Sequence, residues 1–186
     1  MTYIVQQCSH RDIKVADIQS INKLRGQLSR SGSTDPANYP ELKTFLNQNL
    51  LWIVRKHGEI VAMGSLNPNI GFTRSESFGY IRNIVTEKNH RGKQSKAVII
   101  RERYHGNEWN KTRSVKLQSL AEVIVEEMSL FARFYQYGYL ELTSGPDRVA
   151  ANKLYKKLGF IPIATASSDA VPHTNLYRLY LTKKKS

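Results

Sequence analysis

YLELTSGPDRVAANKLYKKLGF, running from Tyr139 to Phe160, is the stretch that decides how this chain folds. Tyr139, Leu140 and Leu142 predict a short apolar strand. Ser144-Gly145-Pro146-Asp147 is turn chemistry: a permissive Gly, a Pro with preset φ, and an Asp able to cap the next helix. From Arg148 to Leu158, the residues Ala150, Ala151, Leu154, Tyr155 and Leu158 recur at helical spacing, and Gly159 supplies a left-handed stop. Spacing alone describes a strand–turn–helix unit with Tyr155 packed in a core.

Outward from that unit, 186 residues suit one domain spanning 1–186, and 40% hydrophobic residues suit a globular chain. No apolar run is long enough to cross a bilayer, and no signal-peptide pattern opens the sequence, so a membrane partner is not expected. The single Cys8 excludes an internal disulfide framework and a Cys-based zinc cage, which points to the reducing cytoplasm. Five scattered His without Cys or carboxylate partners at ligand spacing give no metal site. Lys plus Arg number 28 against 15 Asp plus Glu, a net charge of +13. Such a surplus attracts polyanions, whether nucleic acid or a phosphorylated cofactor, or else forms a self-repelling soluble surface.

Toward the N-terminus, Thr2 to Gln7 predicts a strand. A helix is expected from Asp12, with Val15, Ile18, Ile21, Leu24, Arg25 and Leu28 in its stripe and Asp12 or Ser9 as cap. Pro40 marks a second helix start, ahead of Leu42, Phe45 and Leu46. Leu50–Arg55 and Glu59–Leu66 form a hairpin about Lys56-His57-Gly58. A loop follows from Asn67 to Arg74, then a strand from Ser77 to Val85. Leu117, Leu120, Ala121, Ile124, Met128, Phe131, Ala132 and Tyr135 lie on one face of a long helix ending at Tyr137-Gly138, and Ser119 with Glu122 makes a capping-box pair. Ile161–Ala166 and Thr174–Leu181 close the chain as a hairpin linked by SSDAVPH, with His173 at the surface.

The residues from Leu142 to Phe160 match LTSxPxRxAANxLYxxLGF, and in this the chain resembles the Gcn5-related N-acetyltransferase (GNAT) superfamily. The resemblance implies an α/β (α+β) fold with a central mixed, mostly antiparallel twisted sheet flanked by helices. It implies acetyl-CoA as cofactor. Asn152 would contact the coenzyme A arm, and Tyr155 would protonate the leaving thiolate, a role suited to a phenol still protonated at neutral pH. The first two helices would form one wall of the acceptor groove. Backbone groups near Ile84 and Val85 would pair with the pantetheine arm where the strand bulges.

The same family follows that strand with a Gly-rich loop whose N–H groups bind pyrophosphate at a helix N-terminus. Arg91-Gly92-Lys93 arrives at the matching distance, but Gln94 and Lys96 stand where Gly and Gly or Ala are expected. Residues 94–116 therefore resemble an insertion, foldable as an extra β-hairpin. Either Arg91-Gly92-Lys93 joins Lys116, Gln118 and Ser119 across that hairpin, the preferred alignment, or Arg113 to Gln118 replaces the loop. The hairpin is strongly basic, and Arg101, Arg103, Tyr104, Trp109, Lys111 and Arg113 make it a candidate nucleic-acid surface, with phosphates on cations and a base on a ring. A solvated hairpin with Trp109 packed back on the domain is the plainer alternative.

Many relatives place a Glu, often followed by Asp, on the fourth strand as base. Arg82 and Asn83 occupy those positions, and Arg neither accepts a proton at neutral pH nor attracts an ammonium group. Glu76, Glu87 and Glu141 are possible substitutes. Two functions follow. One is acetyl-CoA-dependent transfer to an amine of a protein, a small molecule or an aminoacyl-tRNA, by direct attack in a ternary complex. The other is a catalytically inactive GNAT-fold basic module that binds nucleic acid or a ribonucleoprotein.

Overall fold

The computed structural model describes residues 2–8, 12–28, 35–72, 76–92, 97–104, 107–113, 118–168 and 171–181, with side chains left undescribed at 2, 97–113, 165–168 and 171–173. In chain order its elements are β1 (Thr2–Cys8), α1 (Asp17–Gly26), α2 (Tyr39–Gln48), β2 (Leu50–Lys56), β3 (Glu59–Asn69), β4 (Phe78–Thr86), a 3-10 turn (Lys88–His90), β5 (Ala97–Tyr104), β6 (Asn107–Arg113), α3 (Leu120–Phe134), β7 (Tyr139–Ser144), α4 (Val149–Lys157), β8 (Ile161–Ser168) and β9 (Val171–Tyr180). It is a mixed α/β fold, as the sequence predicts. The described chain divides into two compact units: residues 1–65 with 83–125, and residues 66–82 with 126–186. β3, β4 and α3 each contribute residues to both.

In the first unit the strand order is β6-β5-β1-β2-β3. β1 runs antiparallel to β2, with Val5 opposite Val54, and parallel to β5, with Thr2 opposite Ala97. β5 and β6 pair antiparallel from Val98↔Arg113 to Tyr104↔Asn107, so residues of the expected 94–116 hairpin extend the sheet beside β1. Ile13, Ile21, Leu24, Leu42, Leu46, Ile53 and Met63 are buried together beneath α1 and α2.

α1 corrects the expected cap. It starts at Asp17, five residues later than Asp12, with Ala16 at the N-cap and no side-chain cap bond, and Val15 lies outside it, 69% exposed. The Asp17 carboxylate instead accepts from the Lys14 backbone N–H at 2.8 Å and from both Nη atoms of Arg55 on β2, at 2.6 and 2.7 Å. Burial opposes the charge on Asp17, yet the Arg55 guanidinium and the Lys14 amide hold its carboxyl below the ordinary value. A tertiary ion pair has displaced the local cap. α2 follows local rules. Asn38 accepts from Glu41 N and Glu41 accepts from Asn38 N, both at 3.0 Å, with Pro40 in the first turn.

In the second unit the order is β4-β7-β9-β8. β4 and β7 are parallel through Phe78↔Tyr139, Gly79↔Leu140 and Tyr80↔Glu141, while β9 is antiparallel to both β7 and β8. Leu140, Leu142, Tyr155, Phe160 and Tyr177 are buried. Gly159 has φ +87 and ends α4 as expected. The N-cap position of α4 falls on Arg148, one residue after the expected Asp147, and its side chain makes no cap bond. α3 ends at Phe134, before the expected Tyr137, with Gln136 left-handed at φ 60. β3 runs on to Asn69 through the expected loop, and the last hairpin takes in most of the expected SSDAVPH linker.

Candidate active site

β7 ends at Ser144, and the chain turns through Gly145 and Pro146 into α4. One turn of α4 brings Asn152 back over that turn, where its Nδ2 donates to the Gly145 carbonyl at 2.9 Å. With its donor end committed, Asn152 Oδ1 is buried and has no hydrogen-bond partner among the described residues, and the same holds for Ser144 Oγ. An orphaned buried polar atom costs on the order of 1–3 kcal/mol, so two beside one turn leave hydrogen-bonding capacity that water or a polar ligand group can take up. Three residues along α4, Tyr155 is 7% exposed, its ring 6.0 Å from those of Phe160 and Tyr177. Burial pushes its phenol up to about 12, against a pull downward from Arg148. Tyr155 is therefore a protonated hydroxyl at neutral pH. Asn152 and Tyr155 were predicted from sequence; Ser144 was not, because nothing local reveals that a serine at a strand end lacks a partner.

In the first unit Ile84 is half-buried and Val85 buried, and both follow a distortion that the sequence does not announce. Asn83 adopts φ 58 within β4, a conformation in which a strand cannot continue its regular ladder, while its Nδ2 donates to Ser65 Oγ at 3.2 Å. Thr86, ending the strand, has a buried Oγ1 with no partner among the described residues. Arg91 donates from Nε to the Thr86 carbonyl at 2.8 Å and from Nη2 to Gln27 Oε1 at 3.0 Å, so its guanidinium is engaged within the protein. Gly92 has φ +64 and open space where a Cβ would stand. Ser119 Oγ accepts from Glu122 N at 3.2 Å and caps α3, the first half of the expected capping box. Gln118 is half-buried beside it, and Lys93 and Lys116 lie outside the described residues.

The three substitute bases fare differently. Glu141 accepts from Arg178 at 2.8 and 2.5 Å. Glu87 pairs with Lys23 and lies 3.7 Å from His90. Glu76 is exposed. Two of the three are thus held in ion pairs. Arg82, also exposed, lies over the Tyr80 ring at 4.8 Å. Cys8 is 2% exposed and burial pushes its thiol up to about 12, which leaves it inert as a nucleophile.

The basic-surface candidates lie on β5 and β6, where only backbone register is described. Arg101 opposes Asn110 and Arg103 opposes Glu108, whereas Tyr104, Trp109, Lys111 and Arg113 fall on the alternate rungs. Among the described residues no group of three or more His, Cys, Asp or Glu could hold a metal ion, and no helix is long and apolar enough to cross a membrane.

No family model and no curated protein matches the sequence. Solved structures do match. An acetyltransferase of the GNAT family from Streptococcus pneumoniae is similar at TM-score 0.67 and 15% identity, covering 97% of this chain and 99% of that one. A NatC complex bound to Gag peptide and CoA contains a chain similar at TM-score 0.66 and 18% identity, with 98% and 100% covered. The structure of yncA from Salmonella typhimurium with its cofactor acetyl-CoA is similar at TM-score 0.65 and 10% identity, with 98% and 96% covered. The chain has the GNAT acetyltransferase fold.

Proposed function

We propose that the protein is an acetyl-CoA-dependent N-acetyltransferase of the GNAT superfamily, transferring acetyl to an amine by direct attack in a ternary complex. The observation that carries this is the pair of orphaned polar atoms, Ser144 Oγ and Asn152 Oδ1, at the turn into the helix that bears Tyr155. Asn152 Oδ1 requires a donor and Ser144 Oγ takes either role, which fits the alternating N–H and C=O groups of a pantetheine arm. The fold neighbours solved with CoA or acetyl-CoA support the same cofactor. Bound acetyl-CoA supplies an acyl group activated as a thioester.

The chain's own residues do the rest. Ile84 and Val85 present backbone groups beyond the Asn83 distortion, and the Ile84 N–H polarises the acyl carbonyl. Gly92 leaves room for phosphates, and on the split-loop alignment of the sequence Lys93, Lys116, Gln118 and Ser119 would border them, while the Arg91 side chain is spent on Thr86 and Gln27. Tyr155 donates its proton to the departing thiolate and recovers one from solvent. With Arg82 in place of a carboxylate, and Glu87 and Glu141 in ion pairs, the amine loses its proton to water before attack, so rates rise with pH toward the acceptor's own pKa.

Isothermal titration with acetyl-CoA and steady-state kinetics test this together. Ser144→Ala and Asn152→Ala are expected to weaken acetyl-CoA binding about 5- to 30-fold, the equivalent of about 1–2 kcal/mol each. Tyr155→Phe is expected to lower turnover by about 100-fold or more while acetyl-CoA affinity stays within about threefold. No binding at high micromolar acetyl-CoA would overturn the proposal, and the converse Tyr155→Phe pattern would assign that residue to packing.

The missing base and the +13 charge favour a second reading, an inactive module for nucleic acid or a ribonucleoprotein. Salt-dependent RNA binding that weakens on replacing Arg101, Arg103 and Lys111 by Glu is its signature.

A further inference from the structure

A cavity of about 580 Å3 lies in the first unit, among α1, α2, β2 and β3. Its volume is that of a small organic ligand rather than of a few waters. Ile21, Leu42, Phe45, Leu51 and Met63 make a wall that is mostly apolar, so a polyamine placed there would lose water from its charges with only Asp35 and Glu41 to offset the loss. Three charged residues, Arg25, Asp35 and Glu41, also line it, and Glu41 and Arg25 are engaged within the protein. Glu41 Oε2 accepts from Asn38 N in the α2 capping box, and Arg25 leans on Asn22 Oδ1 at 3.4 Å. One lining residue has a different character. Asn83, an exposed residue, lines the cavity from the distorted point of β4 with its Nδ2 spent on Ser65 Oγ, which leaves its Oδ1 as the acceptor end. It is also the residue immediately before Ile84.

We propose that the acceptor is a primary amine carrying an aliphatic or aromatic group. Its apolar body fills this cavity, and its N–H groups donate to Asn83 Oδ1. The proposal rests on the acetyltransfer assignment and supplies the acceptor class that the assignment leaves open. In the transfer, the amine nitrogen bonds to the acyl carbon as the C–S bond breaks, the thiolate takes the Tyr155 proton, and the surplus amine proton leaves to water. Asn83 is a neutral acceptor and not a base, so it orients an amine that arrives deprotonated. Selectivity then comes from apolar area, where each methylene in a fitted pocket is worth about 10-fold or more.

The test uses the full chain with phenylalaninamide, leucinamide, glycinamide and spermidine as acceptors. The expected result is kcat/KM at least about tenfold higher for the first two than for the others. Met63→Trp, which occupies the cavity, should raise KM for phenylalaninamide about tenfold and leave acetyl-CoA affinity within about twofold. Phe45→Ala, which enlarges it, should shift preference toward bulkier aromatic amines, and it serves should Met63→Trp fail to fold. Asn83→Gly, which keeps the left-handed backbone, should lower kcat about tenfold. Equal rates with all four amines, a preference for spermidine, or unchanged kinetics in Met63→Trp would overturn the acceptor assignment. Acetyl-CoA binding without amine discrimination sinks the cavity assignment alone. Absence of acetyl-CoA binding sinks the acetyltransfer assignment, and direct titration of phenylalaninamide then still decides whether the cavity takes it.

Discussion

A single side chain can announce a ligand by what it leaves undone. Asn152 spends its amide nitrogen on the Gly145 carbonyl, which fixes the turn and strands the oxygen in a buried place. Both halves matter, because a carboxamide bonded at both ends would be a structural clamp. At the opposite extreme is His57, the first of two positive-φ residues, at φ 49 with Gly58 at 88, joining β2 to β3. Two positive φ values in a two-residue loop describe a type I′ turn, which prefers Asn-Gly. His57→Asn is expected to raise stability by about 0.5 kcal/mol, read as an increased midpoint of urea unfolding at constant slope. A loss of stability would show that the imidazole contributes something beyond the turn.

Elements here obey local rules until a partner elsewhere outbids them. Asn38, Pro40 and Glu41 start α2 as their chemistry requires, whereas α1 waits for Asp17, whose carboxylate is held by Arg55 from a strand 38 residues away. Strand packing in the second unit is close at Gly79. A Cβ there would lie 2.6 Å from Leu66 Cδ1 and 2.7 Å from Leu140 Cδ2, both on fully buried side chains. Gly79→Ala should therefore destabilise by about 1–3 kcal/mol despite the better strand propensity of any residue with a side chain. Thermal melting or urea unfolding measures it, and a neutral result would mean that the two leucines re-pack at no cost.

At the scale of the whole molecule, charge and burial set the response to pH. Cys8 and Tyr155 are both pushed up to about 12 by burial, from ordinary values of 9.0 and 10.0. A folded-state pKa above the unfolded one favours the fold below the unfolded value, so the stability from these groups is intact through pH 9. It is lost as pH rises toward 12, because the unfolded chain ionises first. Unfolding midpoints are expected to fall across that window, and Cys8→Ala should remove the early part of the fall, above pH 9. An identical pH profile in Cys8→Ala would contradict this. Asp17 acts in the opposite direction: its contribution is present above the ordinary carboxylate value of 3.8 and fades as pH falls through its lowered one.

How much of this could be read in advance follows from how far each interaction reaches. The 139–160 unit, the order of strands and helices, the Gly159 stop and the α2 start rest on turn chemistry and periodicity, and all are contained within a few neighbouring residues. Asn152 and Tyr155 are named as site candidates on the resemblance of that one stretch, not on spacing. Closure of the chain settled what periodicity cannot hold. It set the left-handed Asn83, the pairing of Glu141 with Arg178 and of Glu87 with Lys23, the place of β5 alongside β1, and the apolar cavity ending at Asn83. Each of these depends on which distant groups compete for the same hydrogen bond, charge or volume, and that competition exists only once the strands are paired.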